Sequence, residues 1–172
     1  MTAQLTPRRV NHVAYPTTNT AETYRFYTEV LGCRLVAAVR EDEVPSTKDK
    51  TPFLHTFFAM QDGTCLAFFE VDGMGAPRDD GIPSWVRHIA MEVGSMQELE
   101  DWKARLRAHN VDFIGTVDHE GIWHSIYFFD PNGIRLELTY QARPLTEADA
   151  AEGYQLLQTW TAERGQVLAS GK

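Results

Sequence analysis

Positive charge is scarce in this sequence. Sixteen Lys and Arg residues stand against 24 Asp and Glu residues, which gives a net charge of -8. Nucleic acids and anionic membrane surfaces attract clusters of basic side chains, and the sequence has no such cluster. We therefore expect neither a nucleic acid nor a membrane as a partner.

Cysteines and long apolar runs are scarce as well. Cys33 and Cys65 fit neither a CxxC pair nor a disulfide framework, so both are expected to be reduced. No run of 18 apolar residues occurs, and the opening MTAQLTPRRV lacks the apolar segment of a secretion signal. These features are typical of a soluble, cytoplasmic protein.

The sequence contains an internal repeat. A short strand with NHVAY at Val10–Tyr15 is echoed by RHIAM at Val86–Val93, and each is followed by an amphipathic helix and three further strands. Two copies of a β-α-β-β-β pattern predict two like modules whose sheets pack or join. The predicted fold is α+β, with tandem βαβββ modules forming a cupped, half-open mixed sheet. The predicted divisions are a first module at 9–72, a linker at 73–84, a second module at 85–141 and a helical extension at 142–172.

The helical extension has no counterpart in the repeat. Its predicted helix, about Thr146–Arg164, carries Leu156, Leu157 and Trp160 on one face. We expect this helix to cover a sheet edge or a subunit interface.

The stretch Trp123–Tyr140 is predicted to be a β-hairpin that carries chemistry. Asp130-Pro131-Asn132-Gly133 has the composition of a tight turn. In the returning strand, Glu137 lies between leucines, although glutamate is a poor strand residue and is costly to bury unpaired. A bound cation would account for it.

Two histidines occupy equivalent places in the repeat. His12 and His88 each lie in the first strand of a module, followed by an apolar residue and Ala. Together with Glu137 they make a set of two imidazoles and one carboxylate, which leaves positions open for water, O2 or a substrate oxygen. Fe(II), Mn(II) and Zn(II) favour such a set.

The duplication, with NHVAY, RHIAM, FYTEVLG and IYFFDPNGIRLEL, resembles the vicinal oxygen chelate superfamily over about Arg9–Tyr140. This superfamily includes glyoxalase I, fosfomycin-resistance proteins and extradiol ring-cleaving dioxygenases. The resemblance implies a metal at the base of a cavity between two modules, with His12, His88 and Glu137 as ligands. It also implies a substrate that chelates the metal through two adjacent oxygens.

Glu70 is a candidate fourth ligand, because glyoxalase-type enzymes carry one near the end of the first module. Superposing the two predicted hairpins on Gly63 and Gly133 pairs Glu137 with Ala67, and a residue three positions along a strand faces the other way. A bulge would reverse that parity. Strand parity therefore disfavours Glu70 as a ligand.

The same superposition places His55 opposite Ser125 and Phe57 opposite Tyr127, so His55, Phe57 and Tyr127 are expected to face the cavity. Trp123, Phe57 and Phe129 are candidates for an aromatic substrate-binding wall, although aromatic residues at strand spacing are more often plain core.

By resemblance to extradiol dioxygenases, Tyr127, ten residues before Glu137, would bond to a substrate oxygen. The histidine base of those enzymes has no match near Thr64 or Cys65. His55, or His119 in the loop before Trp123, could replace it.

The resemblance leaves three functions open. The leading hypothesis is an Fe(II)-dependent extradiol-type dioxygenase of a small catecholic substrate or another with adjacent oxygens. A glyoxalase-type lyase or isomerase is the alternative, favoured by nickel or zinc, and a metal-free drug-binding protein is the third. One divalent ion per site is expected, with Fe(II) favoured and Mn(II), Ni(II) or Zn(II) as the other candidates. A homodimer is expected, with the modules paired within one chain or across two.

Overall fold

The structure is a computed structural model that describes residues 5–75 and 80–166. The strands are β1 (His12–Pro16), β2 (Arg34–Glu41), β3 (Phe53–Ala59), β4 (Cys65–Val71), β5 (His88–Glu92), β6 (Phe113–His119), β7 (Trp123–Phe129) and β8 (Arg135–Gln141). The helices are α1 (Thr20–Arg25), continued by a π-helical turn at Phe26–Val30, α2 (Met96–Ala108) and α3 (Glu147–Glu163). The predicted α+β architecture is confirmed. Parts of the predicted linker (76–79) and of the extension (167–172) lie outside the described residues.

Side-chain caps begin the helices where the sequence predicts them. Asn19 accepts a hydrogen bond from the Glu22 amide at 3.1 Å and begins α1, and Ser95 does the same for α2 through the Glu98 amide. A capping box between Thr146 and Asp149 begins α3.

The strands form two four-stranded sheets with the same internal order. The first runs β1-β4-β3-β2 and the second β5-β8-β7-β6. We call β1–β4 with α1 module 1, and β5–β8 with α2 module 2. In module 1 Ala14 pairs with Ala67, and in module 2 Ala90 pairs with Glu137, so Ala67 and Glu137 are structural equivalents.

One hydrophobic core joins the two modules. Phe58, Leu66 and Phe68 of the first sheet belong to the same buried cluster as Ile126 and Phe128 of the second. The helices add the buried residues Phe26, Tyr27, Leu99 and Leu106. Because side chains alternate along a strand, the opposite face of each sheet must point away from this common core.

Polar contacts also cross between the modules. The Tyr27 hydroxyl donates to Asp130 Oδ2 at 3.1 Å, and Asn132 Nδ2 donates to Thr23 Oγ1 at 3.1 Å. The Arg105 guanidinium binds the carbonyls of Glu29 and Val30. These bonds link α1 and its π-helical turn to α2 and to the β7–β8 turn, so the modules pack through their helix-bearing sides.

Helix α3 stands apart from this core. Of its residues, all of which the structure describes, Thr161 alone is buried, while Leu156, Leu157 and Trp160 are 65%, 46% and 57% exposed. The helix therefore leaves its apolar face uncovered in the single chain. Within the described residues, no helix is long and apolar enough to cross a membrane.

Candidate metal centre

The outward face of the second sheet brings His88 and Glu137 together. His88 Nε2 lies 2.9 Å from Glu137 Oε2, and the Glu137 side chain is buried. His88 begins β5, and Glu137 lies in the middle of the neighbouring parallel strand β8. We call this surface the Glu137 face.

A buried hydroxyl holds the carboxylate of Glu137 in place. Ser125 Oγ donates to Glu137 Oε1 at 2.5 Å, and Thr139 Oγ1 lies 2.9 Å from Ser125 Oγ. One carboxylate oxygen is thus fixed by the strand-to-strand contact, and the other faces His88. Hydrogen bonds of this kind orient the carboxylate ligands of metal sites.

Both candidate histidines use Nδ1 for a local acceptor. His88 Nδ1 lies 3.2 Å from the Trp85 carbonyl, and His12 Nδ1 lies 2.7 Å from Asn11 Oδ1. Because carbonyl oxygens only accept hydrogen bonds, Nδ1 carries the proton in each ring. That tautomer leaves Nε2 as the nitrogen available to a metal.

His12 lies on the outward face of the first sheet, with His55 and Phe57. The His12 ring centroid is 5.4 Å from that of Phe57 and 6.2 Å from that of His55. We call this surface the His12 face. Burial lowers the pKa of His55, and the nearby charge of His12 lowers it further.

The single chain does not assemble the three predicted ligands. Among residues 5–75 and 80–166, no group of three His, Cys, Asp or Glu side chains could hold a metal ion. The reason is the common core, which separates the His12 face from the Glu137 face. The described residues of one chain thus carry the predicted ligands on two different faces, and the ligand set stays a prediction.

The Glu137 face also carries the predicted catalytic tyrosine. Tyr127 pairs with Glu137 across the hairpin, and its hydroxyl lies 2.8 Å from His119 Nε2. The Arg135 guanidinium lies 4.3 Å from the centre of the Tyr127 ring, a cation–π contact. Burial raises the pKa of Tyr127, and the charge of Glu137 adds to that effect, so the phenol stays protonated at neutral pH.

His119 is not in a loop, as its sequence position suggested. The predicted strand Val111–Val117 is shifted, and β6 extends to His119, which pairs with Trp123 of β7. A tight turn with positive φ at Glu120 (57°) and Gly121 (66°) allows this hairpin. The turn brings His119 to the same face as Tyr127.

Glu70 points to a different partner. Its carboxylate accepts a hydrogen bond from the Thr20 amide at 2.7 Å, at the start of α1. Because α1 packs on the core side of the first sheet, this contact directs Glu70 away from the His12 face. The ladder between β3 and β4 runs from Phe53–Val71 to Ala59–Cys65 without a bulge.

The predicted aromatic wall is divided between the two faces. Phe57 lies on the His12 face, 4.1 Å from the His55 ring centroid. Trp123 and Phe129 lie on β7 and have the same strand parity as Tyr127, so they belong to the Glu137 face, where Phe129 is 46% exposed.

A family of known proteins matches the part of the chain that contains the two modules. The model of the Glyoxalase/Bleomycin resistance protein/Dioxygenase superfamily matches residues 9–138. The chain belongs to this superfamily, also called the vicinal oxygen chelate superfamily. The match covers both modules and excludes α3.

One curated protein that is similar in sequence is "Putative ring-cleaving dioxygenase MhqA" of Bacillus subtilis (strain 168). It is 31% identical over 134 residues, which cover 76% of this chain and 39% of MhqA. The chain thus spans about two fifths of that relative.

Solved structures of the superfamily share the fold at lower identity. A glyoxalase/bleomycin resistance protein/dioxygenase domain from Frankia sp. EAN1pec is 23% identical with a TM-score of 0.65, covering 79% of this chain and 99% of that one. A mutant of the fosfomycin resistance protein FosX from Listeria monocytogenes, complexed with Mn(II) and 1S,2S-dihydroxypropylphosphonic acid, is 19% identical with a TM-score of 0.56, covering 81% and 96%.

Several residues around the centre were not singled out from the sequence. Strand parity could have found Ser125, since it lies two residues before Tyr127 on the same face, and Arg135, two residues before Glu137. Asn11 and Trp85 gave no such signal, because their contacts with His12 and His88 depend on the local path of the chain before each strand.

Proposed function

We propose that this protein is a divalent-metal-dependent enzyme whose metal site forms between two copies of the chain, with His12 from one copy and His88 and Glu137 from the other. The observation that carries the proposal is that the candidate ligands form two groups, His12 on the His12 face and His88 with Glu137 on the Glu137 face. Each lies on an outward face, and each offers a histidine whose Nδ1 is already bound to a local acceptor.

The residues present fit a divalent cation. Two imidazoles and a carboxylate are a common donor set for Fe(II), Mn(II) or Zn(II), with positions left for substrate. His88 Nδ1 lies beside the Trp85 carbonyl, and Nε2 lies 2.9 Å from Glu137 Oε2, so the imidazole nitrogen and the carboxylate oxygen are close enough to bind one cation together. A bound ion would act as a Lewis acid toward two adjacent substrate oxygens and, as Fe(II), would also bind O2. The structural similarity to FosX, whose solved structure contains Mn(II), also supports a divalent cation.

We infer that the reaction is ring cleavage of a catecholic substrate. The support is the similarity to MhqA, together with the pairing of Tyr127 and His119 on the Glu137 face. Protonated Tyr127 can donate a hydrogen bond to a substrate oxygen beside Glu137. His119, 2.8 Å from that hydroxyl, can then exchange a proton with it.

A lyase or isomerase is the second candidate, favoured by His55. The lowered pKa of His55 makes it a neutral base on the His12 face, near the ligand that module 1 would contribute. Such a base could move a proton next to a chelated carbonyl. The Glu70 carboxylate is less suited to this role, because it binds the Thr20 amide.

The test is the metal content of protein purified without oxygen, combined with O2 consumption in the presence of catechols. We expect one ion per chain, and Glu137→Gln should lower the affinity for it at least about tenfold. Glu70→Gln is the matched control and should retain the metal. Iron with catechol-dependent O2 uptake supports the dioxygenase, and nickel or zinc without O2 uptake supports the lyase or isomerase. Equal metal loss in both variants, or no metal in wild-type protein, would contradict the proposed ligand set.

A further inference from the structure

A cavity of about 360 Å³ lies in module 1. It is lined by residues of strands β2, β3 and β4 and by residues 44–46 and 51 of the segment that connects β2 to β3. Its apolar lining residues are Val39, Val44, Pro45, Phe53, Phe69 and Val71.

The strand register places this cavity on the His12 face. Val39 pairs with His55, and His55 pairs with Phe69, so these three side chains point to the same side of the sheet. His12 pairs with Cys65, which has the same parity as Phe69 on β4. The cavity and the proposed ligand His12 are therefore parts of one surface.

Aromatic rings connect the two. The His12 ring lies 5.4 Å from Phe57, Phe57 lies 4.1 Å from His55, and His55 stacks on Phe69 at 3.6 Å between ring centroids. Phe69 in turn lines the cavity. A substrate whose oxygens are near His12 would meet this wall of rings as it extends toward the cavity.

The lining determines which groups fit. In the described part of the chain, no Lys or Arg side chain lines the cavity, and its one carboxylate is Glu41. An anionic substituent would find no countercharge there. Among these rings, His55 Nε2 is buried and has no hydrogen-bond partner among residues 5–75 and 80–166. A buried polar atom is costly to leave unpaired, so a substrate hydroxyl that bonded to His55 Nε2 would be favoured.

The volume suits more than one ring. Ligand pockets typically measure roughly 300–1,000 Å³, and an apolar cavity of about 150 Å³ holds a benzene molecule. The cavity of about 360 Å³ therefore has room for two fused rings.

We propose that this cavity binds an uncharged aromatic extension of the substrate, so that the enzyme prefers fused or aryl-substituted diols to catechol itself and to carboxylated catechols. This inference rests on the proposed function for the identity of the ligand. The cavity belongs to a single module, however, so binding to it can be measured without the metal.

The first experiment uses the full-length chain after treatment with a chelator, with 2-naphthol as the probe. One hydroxyl cannot chelate a metal, so binding reports the cavity alone. Val44→Trp fills the cavity from the connecting segment and should weaken binding at least about tenfold. The control is Val36→Trp, at an exposed residue of β2 outside the lining, which should bind as wild type does.

The second experiment uses the metal-loaded protein and compares naphthalene-2,3-diol, catechol and 3,4-dihydroxybenzoate. The expected result is tighter binding of naphthalene-2,3-diol by at least about tenfold, with the advantage lost in Val44→Trp. If the protein binds no metal, the proposed function fails, whereas 2-naphthol binding that Val44→Trp blocks still supports the cavity as an aromatic site. If 2-naphthol does not bind, binds Val44→Trp equally well, or naphthalene-2,3-diol has no advantage over catechol, the inference is overturned.

Discussion

At the scale of single residues, the contact between Ser125 and Glu137 decides how the carboxylate is presented. Ser125 is fully buried, and its hydroxyl fixes Glu137 Oε1 while Oε2 faces His88. A ligand that is held in this way loses less freedom when it binds metal. The orientation of Glu137 matters because, in the proposed site, His12 comes from another chain and the Glu137 carboxylate has to be in place when the two chains meet.

Replacing this serine tests its role. We predict that Ser125→Ala lowers metal affinity about 10–100-fold, because Glu137 loses the bond that orients it. Equilibrium dialysis against a chosen divalent ion measures the effect. Ser95→Ala is the matched control: it removes the cap of α2, so it should cost about 0.5–2 kcal/mol of stability and leave metal affinity unchanged. Unchanged metal affinity in Ser125→Ala would show that the bond has no orienting role.

Residue positions within strands were the most predictable part of the site. The alternation of β7 and β8 is enough to place Tyr127 and Glu137 on one face, opposite Ile126 and Leu138, and the register agrees. The contact between His119 and Tyr127 was not predictable, because it depends on where β6 ends and on a turn with two positive φ angles. Local turn geometry, rather than periodicity, sets that contact.

At the scale of elements, α3 is a well-formed helix whose apolar face packs against no other element among the described residues. The Arg143 guanidinium binds both carboxylate oxygens of Asp149, and the capping box at Thr146 fixes the start of the helix just after β8. The bonds that Asp149 makes with Arg143 and Thr146 hold the pKa of this carboxyl below its usual range. The helix is thus anchored at one end, while its apolar stripe faces solvent.

This stripe predicts an interface with a second copy. A charge placed on it, as in Leu157→Glu, should weaken dimerisation at least about tenfold, since a charged group is costly to bury unpaired. The helix itself should remain, because Leu157 is 46% exposed and packs little in the single chain. Sedimentation velocity across a concentration series measures the change, with Gln155→Glu on the polar side as control. Equal effects of the two variants, or none, would remove α3 from the interface.

At the scale of the whole molecule, the common core determines where the site can form. The sequence predicted two modules from the repeated NHVAY and RHIAM strands, and it left open whether they pair within one chain or across two. That question depends on which surfaces of the two modules are buried against each other, as at the bond between Tyr27 of module 1 and Asp130 of module 2. A repeat pattern contains no information on this choice, because both arrangements bury the same periodic residues.

Complementation between two inactive variants tests most directly whether the metal site forms between chains. His12→Ala and Glu137→Ala are coexpressed with different tags, and the mixed dimers are isolated through both. If His12 serves the partner's Glu137, each mixed dimer has one site with both replacements and one fully native site. We predict one tightly bound ion per mixed dimer, against two in wild type, while both homodimeric variants bind metal at least about tenfold more weakly. Mixed dimers that bind no more metal than the separate variants would contradict a site shared between chains.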